Sequence, residues 1–267
     1  MIALVGSLDP LTALIATTLR AQGLPHVVCT LGHRTDLDPT PGEPVTFRVE
    51  NLGTLMQHLG RTGVREVCFS GGVSRPQIDR ERIDDATMPL VPILLGALGQ
   101  GDDGALRAVI GLFEAAGFAV VAAQDLAPDL LPPPGLLSAA RPTARHEADA
   151  ARAEQVHRIL APADIGQGVI LRAGQVIAVE AGPGTDFMLR SVKGLAEGAL
   201  FFKAPKLGQD RRADLPVIGP TTIERARASG LSAVVIEAGG VMVLRRQDCT
   251  QLADEAGLVL WVREPSP

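Results

Sequence analysis

At 267 residues the chain is longer than the usual single domain, so one large domain or two smaller ones are both open. Hydrophobic residues make up 46% and aromatics 3%, with no Tyr and one Trp, so sizeable cores are expected and they must be aliphatic. The formal net charge of −5 excludes a protein that depends on nonspecific contacts to a phosphate backbone, so no nucleic-acid partner is expected; a nucleotide substrate needs only one locally cationic pocket.

The N-terminus, MIALVGSLDP, has no positive leader region and no small-residue cleavage site, and no run approaches the ~20 apolar residues that span a bilayer. A cytoplasmic location is the expectation. Ile2 to Val5 reads as a short apolar strand, Leu11 to Ala21 as a helix ending at Gly23, and His26 to Leu31 as a second strand. Asn51 is placed to cap a helix whose Leu52, Leu55, Met56 and Leu59 share one face. Gly63 stops that helix, and Val64 to Ser70 is the next strand. Asp102 or Asp103 caps a helix with a stripe of Leu106, Val109, Ile110 and Phe113, and Phe118 to Ala123 follows as an apolar strand. Continuous apolar strands separated by amphipathic helices indicate a parallel sheet covered on both faces. Residues 1–132 therefore read as a Rossmann-like domain.

The LPPPG run at 131–135 forbids helix and ladder alike. An Ala/Glu/Arg-rich helix from Glu147 to Leu160 then reads as a bridge, which makes 133–160 a linker with a bridging helix. Beyond it, Val169 to Leu171 and Val176 to Ala181 flank Ala173-Gly174, a hairpin turn. Thr185 to Val192 is a short helix, Leu200 to Ala204 a strand, and Ile223 to Ala228 a helix stopped by Gly230. Val234 to Ile236 and Val241 to Leu244 are strands around Gly239-Gly240, and a helix to Ala256 and a strand over Leu258 to Val262 close the chain. Residues 161–267 thus form a separate α/β domain with mixed strand directions, expected to be the catalytic one.

Several chemistries are missing. The five histidines are scattered without the spacing of a metal site, and there is no Walker loop, no G-x-S-x-G elbow and no dinucleotide fingerprint after the first strand. Cys29, Cys68 and Cys249 lie in apolar runs without a C-x-x-C pair, and read as buried thiols. Four features remain. Ser70-Gly71-Gly72-Val73-Ser74-Arg75-Pro76 follows a strand, where glycine amides approach anions and Arg75 reaches a phosphate; a tight turn with a surface Arg fits equally. Gly101-Asp102-Asp103 opens a helix, as a cap or as a contact to a metal or sugar hydroxyl. Asp164-Ile165-Gly166-Gln167-Gly168, then Glu180 and Gly182-Pro183-Gly184-Thr185-Asp186, place carboxylates where they face Mg²⁺ or merely cap a helix. The fourth is the segment from Lys203 to Gly219, where Lys203, Lys206, Arg211, Arg212, Asp210 and Asp214 crowd a loop punctuated by prolines. The pattern favours phosphate chemistry, in which cations offset a pyrophosphate and carboxylates hold metal or orient water, over a structural charged loop, the alternative reading.

In order along the chain, VCFSGGVSRP, GDDGALR, DIGQGVILRAGQVIAVEAGPGTDFMLR and KAPKLGQDRRADLPVIGPTTI resemble the UDP-2,3-diacylglucosamine pyrophosphatases of the LpxI type, which act in lipid A biosynthesis. The resemblance implies two domains with the substrate between them. It also implies Mg²⁺-dependent hydrolysis to 2,3-diacylglucosamine 1-phosphate and UMP, with water directed at the sugar-side phosphorus. Asp214 matches the family's essential acidic residue, and Asp186, Thr185, Lys203, Asp102 and Asp103 match other motif positions. The expected roles follow. Asp214, with Asp186 or Glu180, binds Mg²⁺ or orients water, and Lys203, Arg211 or Arg75 neutralises the pyrophosphate. Gly71, Gly72, Ser74, Gln167, Thr185 and Lys206 complete the substrate contacts, with Asp102 and Asp103. Transient contact with the inner membrane and a homodimer are further expectations. A noncatalytic UDP-lipid binder and a nucleotide-sugar oxidoreductase are the alternatives. The chain departs from the family where several glycines and Leu-Pro are replaced by Gly6-Ser7-Leu8-Asp9-Pro10. It departs again at Gly72 for Asn, Gln100 for Lys and Pro183 for Glu.

Overall fold

The computed structural model describes residues 1–40, 42–72, 77–99 and 102–266, with the backbone alone at 98, 102 and 103. It divides into two units: Met1–Pro128 with Asp210–Asp214, and Asp129–Gln209 with Leu215–Pro267.

In the first unit the apolar run at the N-terminus becomes β1 (Ile2–Gly6), buried at every position. Asp9 caps α1 (Pro10–Ala21): its carboxylate accepts from the Thr12 amide, and Pro10 takes a first-turn position where no amide partner is needed. Then come β2 (His26–Leu31), β3 (Val45–Phe47), α2 (Leu52–Arg61), β4 (Glu66–Ser70), α3 (Val91–Leu98), α4 (Asp102–Ala115), β5 (Ala119–Val120) and α5 (Ala123–Leu126). The strands are all parallel, in the order β3-β2-β1-β4-β5. The sheet thus grows first to one side of β1 and then to the other. Leu52, Leu55, Met56 and Leu59 of α2 and Phe113 of α4 close one aliphatic core over Ala3, Val5, Cys29 and Val67. Phe69 stands edge-on to Phe113 at 5.3 Å between ring centroids.

Three local expectations differ. Asn51 stands at the start of α2 but does not cap it; its side-chain amide donates to Asp84, and the Gly53 amide donates to Thr87 Oγ1 instead. Asp102 and Asp103 lie within the first turn of α4 rather than before it. The run from Phe118 keeps two ladder residues, because Ala123 already begins α5.

The second unit contains β6 (Gly135–Leu136), α6 (Ala144–Leu160), β7 (Gly168–Arg172), β8 (Gln175–Val179), α7 (Gly184–Ser191), β9 (Leu200–Lys203), β10 (Val217–Ile218), α8 (Pro220–Ala228), β11 (Ala233–Glu237), β12 (Met242–Val243), α9 (Arg246–Ala256) and β13 (Val259–Arg263). Its main sheet runs β6-β13-β11-β9-β7-β8. β9, β11 and β13 are parallel, while β6, β7 and β8 pair antiparallel with their neighbours, so the sheet is mixed. Ladder pairing resumes at Gly135, the residue that ends the proline run and regains an amide. The strands around Gly239-Gly240 do not pair with each other; β12 pairs with β10.

Alternation along the strands sorts two cores. Ile170, Phe201, Val234, Ile236 and Leu260 face Leu189, Ile223 and Cys249 of α7, α8 and α9. Leu200, Phe202, Val235 and Val259 face Ala150 and Ala153 of α6. Each large side chain so buried contributes roughly 1.5–3 kcal/mol. The hairpin turns at Ala173 (φ +52°) and Gly174 (φ +78°), the two left-handed residues that a two-residue turn of matching twist requires. The buried Asp149 carboxylate accepts from both amides, at 2.9 and 2.6 Å, and offsets the strain at Ala173.

Glu154 of α6 ties down the C-terminus. Its buried carboxylate accepts from Arg158 Nη2 at 2.7 Å, Arg263 Nη1 at 2.5 Å, and both the amide and hydroxyl of Ser266 at 2.7 Å. Burial by itself raises the pKa of this carboxyl, but the bonds from Arg263 and Ser266 outweigh burial and hold it below the usual glutamate range. A carboxylate with a lowered folded pKa stabilises above the unfolded value of about 4.3, and that stability is lost as pH falls through the folded value. Glu154→Ala should therefore cost about 3 kcal/mol at neutral pH, read as a lower Tm, with the gap to wild type closing in acid. A gap that stays constant down to strongly acidic pH contradicts this account.

Candidate functional site

The neighbouring parallel strands β9 and β11 each end in a charged residue, Lys203 and Glu237. Carboxyl ends of parallel strands are where open α/β sheets receive ligands. Lys203 is only 3% exposed. Its Nζ donates to Glu180 Oε2 at 3.1 Å and to Thr185 Oγ1 at 2.6 Å. Glu180 directly follows β8, and its amide donates to the Gly168 carbonyl at 2.8 Å. Thr185 is carried in the first turn of α7 by Gly184, whose φ of +82° suits glycine.

The other predicted residues of this unit fall into two groups. Gln167 Nε2 donates to Gln209 Oε1 at 3.2 Å, the same oxygen accepts from the Lys206 amide at 3.0 Å, and the Gln167 carbonyl accepts from the Ala204 amide. Lys206 Nζ donates to Asp164 at 2.5 Å. Asp186 follows Thr185 in the chain but pairs with Arg225 of α8. Two of the three carboxylates expected to hold metal, Glu180 and Asp186, are thus each balanced by a cation. Among the described residues no three of His, Cys, Asp and Glu gather as a metal-binding group.

Within the first unit, residues 210–214 form a tight turn. Arg212 grips both oxygens of Asp210, through Nε at 3.0 Å and Nη2 at 2.8 Å, and reaches Glu114 of α4 through Nη1 at 2.7 Å. The Asp214 amide donates to the Asp210 carbonyl at 3.3 Å, and Gln124 Nε2 donates to the Arg211 carbonyl at 3.0 Å. The hydrogen bonds from Arg212 hold the Asp210 carboxyl below its ordinary range.

At the carboxyl ends of β1 and β4, Gly6 and Ser70 are register partners, and a Cβ on Gly6 would lie 2.1 Å from the Ser70 carbonyl oxygen. Asp9 uses its second carboxylate oxygen to accept from the Gly72 amide at 3.2 Å. Gly71 adopts φ +83°, with Ser7 Oγ 2.5 Å from where its Cβ would stand. A cleft of about 890 Å³ opens beside them, lined among others by Ser7, His33, Arg48, Gln77 and Arg82. Ser74 and Arg75 lie outside the described residues, as do the side chains of Asp102 and Asp103.

Sequence reasoning missed the pairing of Arg225 with Asp186 and the bridging role of Asp9. A charge ending an otherwise apolar strand, the signal that marks Lys203, also marks Glu237. The three cysteines are buried as expected, and burial pushes each thiol up to about 12, which leaves no thiolate nucleophile at neutral pH.

A parallel-sheet unit and a mixed-sheet unit, each with polar groups at strand ends, define a two-domain α/β protein. Residues 2–130 match the LpxI N-terminal domain and residues 133–261 the LpxI C-terminal domain. The chain is 36% identical over 262 residues to the UDP-2,3-diacylglucosamine pyrophosphatase LpxI of Caulobacter vibrioides, covering 94% of this chain and 93% of that relative. This chain belongs to the LpxI family.

Arg212→Ala should loosen the 210–214 turn while changing global stability by no more than about 1 kcal/mol, because Arg212 and Glu114 are both partly exposed. Hydrogen exchange followed by mass spectrometry checks this; unchanged exchange across the turn refutes the role given to Arg212.

Proposed function

We propose that this protein hydrolyses the pyrophosphate of UDP-2,3-diacylglucosamine to 2,3-diacylglucosamine 1-phosphate and UMP, a step of lipid A biosynthesis. The observation that carries this is the 36% identity, across both domains, to the Caulobacter vibrioides relative of that activity. A buried Lys203 at a strand end supports it, since a fixed cation stabilises charge developing on phosphate oxygens. Arg211 adds a second positive charge. Asp214 orients the water and accepts its proton. The water oxygen bonds to the sugar-side phosphorus, the bond from that phosphorus to the bridging oxygen breaks, and UMP departs with the electron pair.

The donor set does not make an all-protein metal cage among the described residues. It fits Mg²⁺ in its usual nucleotide-bound form, where one or two carboxylates add to phosphate oxygens and water. Asp214 is the carboxylate that would hold it, and the bound ion would offset the pyrophosphate's charge. The acyl chains of the substrate favour a cytoplasmic protein that touches the membrane surface; among the described residues no helix is long and apolar enough to cross a membrane.

Incubation with UDP-2,3-diacylglucosamine and Mg²⁺ should release UMP, and EDTA should stop it. In ¹⁸O-water the label should appear in 2,3-diacylglucosamine 1-phosphate. Absence of UMP refutes the activity, and label in UMP refutes the choice of phosphorus. Asp214→Ala should lower kcat by roughly 10³-fold or more with the Tm little changed.

A further inference from the structure

We infer that Glu180 is a positioning residue for Lys203, and that Gly166 and Gly168 form the cradle that admits its side chain. This rests on the reading of Lys203 as a cation facing the pyrophosphate. The two glycines have no left-handed φ, so backbone conformation does not demand them. Space does. A Cβ on Gly166 would lie 2.5 Å from the Glu180 carbonyl oxygen and 2.7 Å from its Cβ and Cγ. A Cβ on Gly168 would lie 2.7 Å from Glu180 Oε2 and 2.8 Å from Phe201 Cε2. The Glu180 side chain therefore lies across two glycines spaced two residues apart, with its amide anchored to the carbonyl of the second.

The cradle aims the carboxylate at one target. Glu180 and Lys203 are 8% and 3% exposed, and a buried ammonium needs a compensating charge. Lysine's flexible four-carbon stem has many rotamers, and acceptors from two separate elements, Glu180 and Thr185, restrict them. With its Oε2 turned to Lys203, Glu180 acts through that lysine rather than as a ligand of metal. The D-I-G-Q-G motif is then a steric device, and its function is to place Nζ.

Kinetics of three variants separate this from a metal-ligand role. Glu180→Ala should lower kcat about 100-fold, as expected when a reacting group is displaced by about 1 Å, with the Mg²⁺ concentration for half-maximal rate unchanged. Glu180→Gln, whose amide oxygen still accepts from Nζ but supplies no charge, should recover part of the loss. Gly168→Ala should resemble Glu180→Ala and cost little further rate when the two are combined. A raised Mg²⁺ requirement in both Glu180 variants, or near wild-type kcat in Glu180→Ala, overturns the inference. A second readout does not depend on turnover: the ¹⁵Nζ resonance of Lys203 should be protected from exchange in wild type and Glu180→Gln and lost in Glu180→Ala. If wild type releases no UMP, the functional reading fails and this resonance alone decides the positioning role; protection that persists in Glu180→Ala refutes it.

Discussion

An ammonium at the end of an otherwise apolar strand is the constraint around which the second unit is arranged. β9 is buried at all four positions, and the last of them is Lys203. Removing such a charge from water is costly unless an opposite charge and hydrogen-bond acceptors accompany it. Glu180 supplies the charge and Thr185 the second acceptor. Much of the local chain follows from that demand. The β7–β8 hairpin must end where Glu180 can reach β9, the turn before α7 must present Thr185, and Gly166 and Gly168 must carry no side chain.

The loop after Lys203 follows a related economy of charge. Its crowding of Lys, Arg and Asp looks in sequence like a field aimed at a ligand. In the structure much of that charge is balanced nearby: Lys206 on Asp164, Arg212 on Asp210 and Glu114. Such pairs fix the shape of a proline-punctuated loop more than they stabilise the fold, since part-exposed ion pairs contribute little.

What was legible in the sequence was local. The apolar run of β1, the three-four spacing of α2 and the Ala173-Gly174 turn each carry their instruction within a few residues, and each formed. Pairings that depend on distant partners were not legible. β3, β6 and β10 have two or three residues each, too few for a period to show, and exist because a neighbouring strand offers a ladder. Asn51 has the right residue type for a cap, but Asp84, 33 residues away, competes for its side chain. For the site, the motifs named Lys203, Thr185 and Glu180 without their mutual contact. Sequence spacing assigned Glu180 to metal because a carboxylate after a strand has no visible partner until the strand order brings Lys203 beside it.

The carboxylate of Asp9 has a consequence for selectivity. In doubly wound sheets the turn after the first strand offers amides to a passing phosphate. Here Asp9 already takes the Thr12 amide with one oxygen and the Gly72 amide with the other. A nucleotide arriving at that turn meets a resident negative charge and, among the described residues, the Thr12 and Gly72 amides already engaged. The first unit, with its parallel strands in the order β3-β2-β1-β4-β5, thus spends two amides of that region on its own carboxylate. Among competing phosphate-bearing ligands, that leaves recognition to groups only the right ligand can satisfy.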